Sequence, residues 1–137
     1  ISEMIKVEHI GIAVRDLADA VKVYEKLLAT TCYKTESVDS EKVNTAFFRT
    51  GETKIELLES SDESGPISKF LEKRGEGIHH IAFEVEDIRA EMDRLKSEGF
   101  MLLNEEPKAG ADNKLICFLH PKNTNGVLIE LCMEIDN

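Results

Sequence analysis

Apolar residues alternate with small or polar ones in two runs, His9-Ile10-Gly11-Ile12-Ala13-Val14 and His80-Ile81-Ala82-Phe83-Glu84-Val85. The period of two marks each run as a strand with one bulky face. The histidines are 80 − 9 = 71 residues apart, and so are Asp16 and Asp87 (87 − 16 = 71), each standing where a helix N-cap belongs. The period then changes to that of a helix. Residues 17–28 place Leu17, Ala20, Val21, Tyr24, Leu27 and Leu28 on one stripe, and residues 88–98 do so with Ile88, Met92 and Leu95. Three strand-like runs follow each helix: 32–36, 43–50 and 54–59 in the first half, 101–104, 115–120 and 127–133 in the second. Ile55-Glu56-Leu57 repeats as Ile129-Glu130-Leu131 at an offset of 130 − 56 = 74. Thr50-Gly51-Glu52 and Asn123-Thr124-Asn125-Gly126 are turn signals between the last two strands of each half. Residues 60–77 begin polar, pass Pro66 and a short helical stretch at 67–73, and close on Gly75 and Gly77. The pattern predicts an α+β chain of two tandem βαβββ modules. A single domain over residues 5–136 is expected, with module one at about 5–60, a connector at about 61–77 and module two at about 78–134.

Internal packing symmetry accounts for the repeated apolar positions, each half covering a sheet. It does not account for the polar ones. Ile10, Ile12 and Val14 take the helix side of the first strand, which leaves His9, Gly11 and Ala13 on the other; His80, Ala82 and Glu84 take the equivalent face of the repeat. Glu56 and Glu130, each between two bulky apolar residues, point the same way. A lone strand histidine is ordinarily a satisfied core or surface group, and a lone glutamate an exposed one. Their recurrence at matching places in both halves favours a shared role. If the two sheets curl toward one another, His9, Glu56, His80 and Glu130 form a two-imidazole, two-carboxylate set suited to a divalent ion such as Co²⁺, Mn²⁺, Ni²⁺ or Zn²⁺, with positions left open for substrate. Glu84 shares this face and is a candidate to orient a ligand or move a proton. His79 points the other way and reads as a structural or surface group. His120-Pro121-Lys122 lies at the lip of the last hairpin, where His120 and Lys122 are candidates to meet an anionic substrate tail.

Composition narrows the partners. The chain has 137 residues and is 42% apolar, enough for one core without staples. Its 27 acidic and 17 basic side chains leave 27 − 17 = 10 negative charges, which repel nucleic acid but not a small anion held by local lysines. Cys32, Cys117 and Cys132 form neither an even framework nor a C-x-x-C, so no disulfide scaffold or zinc knuckle is expected and a reducing compartment fits. No run is long enough to cross a membrane as a helix, and residues 1–6 lack the pattern of a secretory signal. The expected location is cytoplasmic, or the mitochondrial matrix if a transit peptide has been removed.

Two βαβββ units with a histidine in each first strand and an acid in each last strand resemble the vicinal oxygen chelate superfamily, which includes glyoxalase I, extradiol dioxygenases, bleomycin-resistance proteins and methylmalonyl-CoA epimerases. The resemblance covers residues 7–133. It implies an open curved sheet around one metal ion, with His9, His80 and Glu130 as ligands and Glu56 in the fourth place, where epimerases have Gln or Glu. Longer strings, Lys69-Phe70-Leu71-Glu72-Lys73 leading into Gly75-Glu76-Gly77-Ile78-His79-His80 and Phe118-Leu119-His120-Pro121-Lys122 leading into Gly126-Val127-Leu128-Ile129-Glu130, are similar to the epimerases rather than to glyoxalase I. That implies an isomerase of propionate metabolism that inverts C2 of a CoA thioester, with a homodimer as the assembly; the chemistry of proton removal next to a thioester makes Glu130 the candidate for one base. Thr45 stands where some epimerases have a second catalytic Glu, so the other proton carrier is open among Glu56, Glu84 and a bound water. The alternatives are glyoxalase I, whose bacterial forms resemble the same ligand set, and a small-molecule binding or resistance module, which is expected to lack the quartet.

Overall fold

The computed structural model describes residues 4–135. Asp136, the end of the expected domain, lies outside them, as do residues 1–3 of the segment read for a secretory signal. The chain divides into two compact units, one of residues 9–79 and one of residues 4–8 with 80–135. Strand β1 (Met4–Ala13) contributes to both, its first half counted with the second unit.

In the first unit β1 runs parallel to β4 (Thr53–Ser60), β3 (Val43–Thr50) is antiparallel to β4, and β2 (Lys34–Val38) is antiparallel to β3. Helix α1 (Leu17–Leu28) starts at the expected cap: the Asp16 carboxylate accepts the Asp19 N–H at 3.0 Å. That bond satisfies one of the donors a helix start leaves open. The helix packs Leu17, Ala20, Val21, Tyr24 and Leu28 on Val14, Ala46, Phe48 and Leu57. Leu27 departs from the expected stripe, being 68% exposed, because the apolar face is narrower than the sequence spacing suggests.

The connector contributes more than a link. Its helix α2 (Pro66–Arg74), with Pro66 in the first turn where a missing N–H costs nothing, buries Ile67 on Ala13, Val43 and Leu58. Leu57 belongs to the α1 cluster and Leu58 to the α2 cluster, so the two helices cover opposite faces of this sheet. On the α2 face Leu58 is covered, and Glu56 and Lys54 follow it along β4 at the period of two.

In the second unit β5 (Gly77–Val85) is parallel to β8 (Ile129–Glu134), and β7 (Lys114–Leu119) is antiparallel to β8. Helix α3 (Ile88–Ser97) repeats the cap, with Asp87 accepting the Ala90 N–H at 3.1 Å. It packs Ile88, Met92 and Leu95 against Val85, Cys117, Leu119 and Leu131. Ala82, Ile116 and Cys132 form a second cluster, joined by Phe118.

The strand expected at 101–104 is not formed. Leu102 makes an isolated bridge to Leu119, and pairing with β7 resumes only at the two-residue β6 (Lys108–Ala109). The Asn104 side-chain oxygen accepts the Phe118 N–H at 2.9 Å where a backbone carbonyl would serve in a regular ladder, and Pro107 brings no N–H. These two residues divide the edge into pieces. No helix of the described residues is long and apolar enough to cross a membrane.

Candidate functional site

Each unit builds a histidine–glutamate pair in the same way. In the first, Glu56 on β4 lies opposite Gly11 on the parallel strand β1, two residues beyond His9 on the same face. Glycine presents no side chain there, and the imidazole reaches across: His9 Nε2 lies 3.2 Å from Glu56 Oε1. In the second unit Glu130 on β8 lies opposite Ala82 on β5, two residues beyond His80. A methyl leaves the same passage, and His80 Nε2 is 3.2 Å from Glu130 Oε1. The Phe118 ring stands edge-on to His80, with centroids 6.0 Å apart at 87°.

All four side chains are buried, at 6% exposure for His9, 4% for Glu56, 4% for His80 and 5% for Glu130. A buried carboxylate needs compensating positive charge or strong donors. Two ligands in adjacent positions on an ion with bonds of about 2.1 Å lie about 3 Å apart, the separation found within each pair. Imidazole nitrogens with carboxylate oxygens suit a divalent transition ion, so the donor chemistry fits a metal.

The other expected residues fall out differently. Glu84 lies on the His80 face of β5, opposite Cys132 in register, and is half-buried. His120 uses its Nδ1 to accept the Lys122 N–H at 3.0 Å, capping the short 3-10 turn Pro121–Asn123; the Lys122 side chain is exposed. Thr45 is fully buried, and its hydroxyl donates to the Glu36 carbonyl at 3.0 Å. His79 stacks edge-on to Phe70 at 5.0 Å, the structural of its two expected roles.

Sequence reading gave no site role to Glu8, Lys114 or Cys132, which are buried in the second unit. Cys132 sits two residues beyond Glu130, so strand alternation was a usable signal for it. Burial raises its thiol pKa above the ordinary value, helped by the negative charges of Glu130, Glu8 and Glu84 and opposed by Lys114. Burial, with Glu130 beside it, also pushes the Cys117 thiol up to about 12. Both are neutral thiols near pH 7. A separate cleft of about 850 Å³ opens on the α1 side of the first unit. Its Glu59 is engaged by the fold, accepting the Leu17 N–H at 2.8 Å and the Asn44 side-chain N–H at 3.2 Å.

Comparison with known proteins identifies relatives of the chain. Residues 8–118 match the model of the Glyoxalase/Bleomycin resistance protein/Dioxygenase superfamily. The ethylmalonyl-CoA/methylmalonyl-CoA epimerase of Cereibacter sphaeroides is 44% identical over 92% of this chain and 96% of its own. The mitochondrial methylmalonyl-CoA epimerase of Homo sapiens is 39% identical over 92% of this chain and 72% of its own. Among solved structures, a variant of Streptomyces coelicolor methylmalonyl-CoA epimerase in complex with 2-nitronate-propionyl-CoA superimposes with a TM-score of 0.94 at 34% identity, covering 98% of this chain and all of the other.

Proposed function

The chain belongs to the Glyoxalase/Bleomycin resistance protein/Dioxygenase superfamily and, within it, to the family of its methylmalonyl-CoA epimerase relatives, and from that we propose that it is an isomerase inverting C2 of methylmalonyl-CoA through proton abstraction next to the thioester. The named relatives carry the choice of substrate, and the observation that supports a metal-assisted reaction is the buried His–Glu pair, built twice at equivalent places of a duplicated unit. The family is metal-dependent. His9, Glu56, His80 and Glu130 are the residues that would hold the ion, which when bound supplies Lewis-acid stabilisation of the negative charge that develops on the thioester oxygen.

Glu130 takes the C2 proton on a carboxylate oxygen. Inversion needs a second group to return a proton to the opposite face of the planar intermediate. Glu56 and Glu84 are the carboxylates suited to that step, and a bound water is the alternative. Thr45 is not, because a hydroxyl committed to the Glu36 carbonyl is no base at neutral pH. The apolar neighbours of Glu130, Ala82 and Phe118, keep bulk water from competing for the proton.

Nothing in the ligand set separates this reading from glyoxalase I, but the named relatives are epimerases, which supports the CoA ester over a glutathione hemithioacetal. A homodimer is part of the proposal, and light scattering on the purified chain tests it. The function itself is tested by supplying a single C2 epimer of methylmalonyl-CoA to the metal-loaded protein and following the approach to an equal mixture. An epimer ratio that does not move faster than in buffer overturns the reading.

A further inference from the structure

The strand rung that holds each glutamate is built the same way in both units and ends differently. In the first, Glu56 on β4 lies between Gly11 on β1 and Phe47 on β3, and Phe47 lies opposite Lys34 on β2. In the second, Glu130 on β8 lies between Ala82 on β5 and Phe118 on β7. The Leu102–Leu119 bridge, with the Leu103 N–H donating to the Phe118 carbonyl at 2.8 Å, sets Leu103 in the outer place. One rung therefore runs out to an ammonium and the other to an isobutyl group. Leu102 packs into the α3 cluster, so its neighbour Leu103 turns to the opposite face, which is that of Glu130 and Phe118. Met101, two residues before Leu103, shares that face and lies beside His120, whose N–H its carbonyl accepts at 2.8 Å. Leu103 is 50% exposed and Met101 45%, and among the described residues neither joins the clusters around α3 or Ala82. They continue an apolar path that begins at Phe118.

Resting on the epimerase reading, we propose that Phe118, Leu103 and Met101 form a shelf for the C2 substituent of the substrate, and that the protein therefore epimerises malonyl-CoA esters whose C2 alkyl chain is longer than methyl, up to butyl. C2 gives its proton to a Glu130 oxygen, so the other groups on that carbon lie against the neighbours of Glu130. They are a carboxylate, a thioester and one alkyl group, and only the alkyl group matches an apolar wall. Ala82 closes one side of Glu130, being 0% exposed and packed with Ile116 and Cys132. The other side passes over the half-buried Phe118 onto the exposed Leu103. Two strand spacings, about 10 Å, separate Glu130 from Leu103 along the rung. A methyl group stops beside the Phe118 ring, and three or four carbons cross it toward Leu103. A closed pocket rejects each further carbon by steric clash, whereas a shelf open at its end gains apolar contact with every one. In the first unit the matching rung ends on the Lys34 ammonium, where an alkyl chain gains no such contact.

The test follows deuterium entry at C2 of methyl-, ethyl-, propyl- and butylmalonyl-CoA in the metal-loaded wild type and in Leu103→Ser, Leu103→Met and Lys34→Leu. The measured quantity is kcat/KM for the butyl ester relative to the methyl ester, from which the fraction of folded enzyme cancels. A methylene contributes about fourfold when fully buried and about twofold on a half-exposed surface, so the three methylenes that separate butyl from methyl draw up to about eightfold from the shelf. The wild-type ratio should be at least about 0.3, and Leu103→Ser should lower it at least about threefold, while Leu103→Met, which keeps an apolar chain, should stay within about twofold. Lys34→Leu, at the equivalent place of the first unit, should leave the ratio unchanged. A lower wild-type ratio, a smaller fall in Leu103→Ser, or a ratio that responds to Lys34→Leu instead overturns the shelf. Calorimetric titration of the butyl and methyl esters separates this inference from the reaction it rests on. If no ester exchanges while the relative affinity for the butyl ester still falls at least about threefold in Leu103→Ser, the epimerase reading fails and the shelf stands. Equal relative affinity in wild type and Leu103→Ser overturns the shelf whether or not the esters exchange.

Discussion

Replacing Glu130 with glutamine changes one oxygen to an amide nitrogen and alters little else. The side chain stays 5% exposed, an oxygen remains available at the position 3.2 Å from His80 Nε2, and Phe118 still stands against the imidazole. Folding stability should therefore stay within about 1 kcal/mol of wild type, because one acceptor replaces another. Proton transfer should not survive as well, because an amide does not take up a proton at neutral pH. Loss of a general base lowers turnover about 10²- to 10⁴-fold, or roughly 2.7–5.5 kcal/mol of barrier. Glu56→Gln makes the same change in a site of the same burial and the same 3.2 Å geometry. It should keep metal and retain activity to within about tenfold of wild type if Glu56 serves mainly as a ligand. The assay is C2 exchange under single-turnover conditions beside metal analysis and a urea melt of each variant. Exchange abolished by Glu56→Gln and left intact by Glu130→Gln would place the base in the other unit and refute the assignment.

Three further outcomes are expected. His9→Ala and His80→Ala should each lower metal retention at least about 10- to 100-fold, the range for losing a mere supporting contact, as read by equilibrium dialysis; full metal content in purified His80→Ala contradicts the ligand set. Ile67→Ala, at a position 2% exposed beneath α2, should cost about 2–4 kcal/mol in chemical denaturation, whereas a change under about 0.5 kcal/mol would show that the connector helix does not seal the first unit. In the native protein a thiol reagent at pH 8 should modify Cys32 and spare Cys117 and Cys132, which are fully buried and whose thiols are held protonated; rapid labelling of either by peptide mapping contradicts that burial.

Much of this architecture is written in local pattern. Asp16 and Asp87 announce both helices because a capping carboxylate acts within three residues, and β1 and β5 announce themselves because alternation needs only neighbours. Alternation likewise placed His9 with Glu56 and His80 with Glu130 on matching faces, which is all that a 3.2 Å contact required beyond the correct register. What escaped depends on distant partners. The run Met101-Leu102-Leu103-Asn104 has the composition of a strand, but the Asn104 side chain takes the Phe118 N–H and ends the ladder. The helix in the connector was visible, yet that Ile67 completes a core with Ala13, Val43 and Leu58 was not, since those residues meet only in three dimensions. The apolar rung beside Glu130 needed the pairing of Phe118 with both Glu130 and Leu103, a fact of register rather than of composition.

The central claim, proton abstraction at C2 of a CoA thioester, is tested most directly by incubating methylmalonyl-CoA in deuterated buffer with the metal-loaded protein and following the C2 hydrogen by mass spectrometry. The account predicts one deuterium per molecule at C2, gained far faster than in buffer alone, with the rate lost on chelation and recovered on returning the ion. No exchange above buffer, together with rapid turnover of a glutathione hemithioacetal by the same preparation, would contradict it.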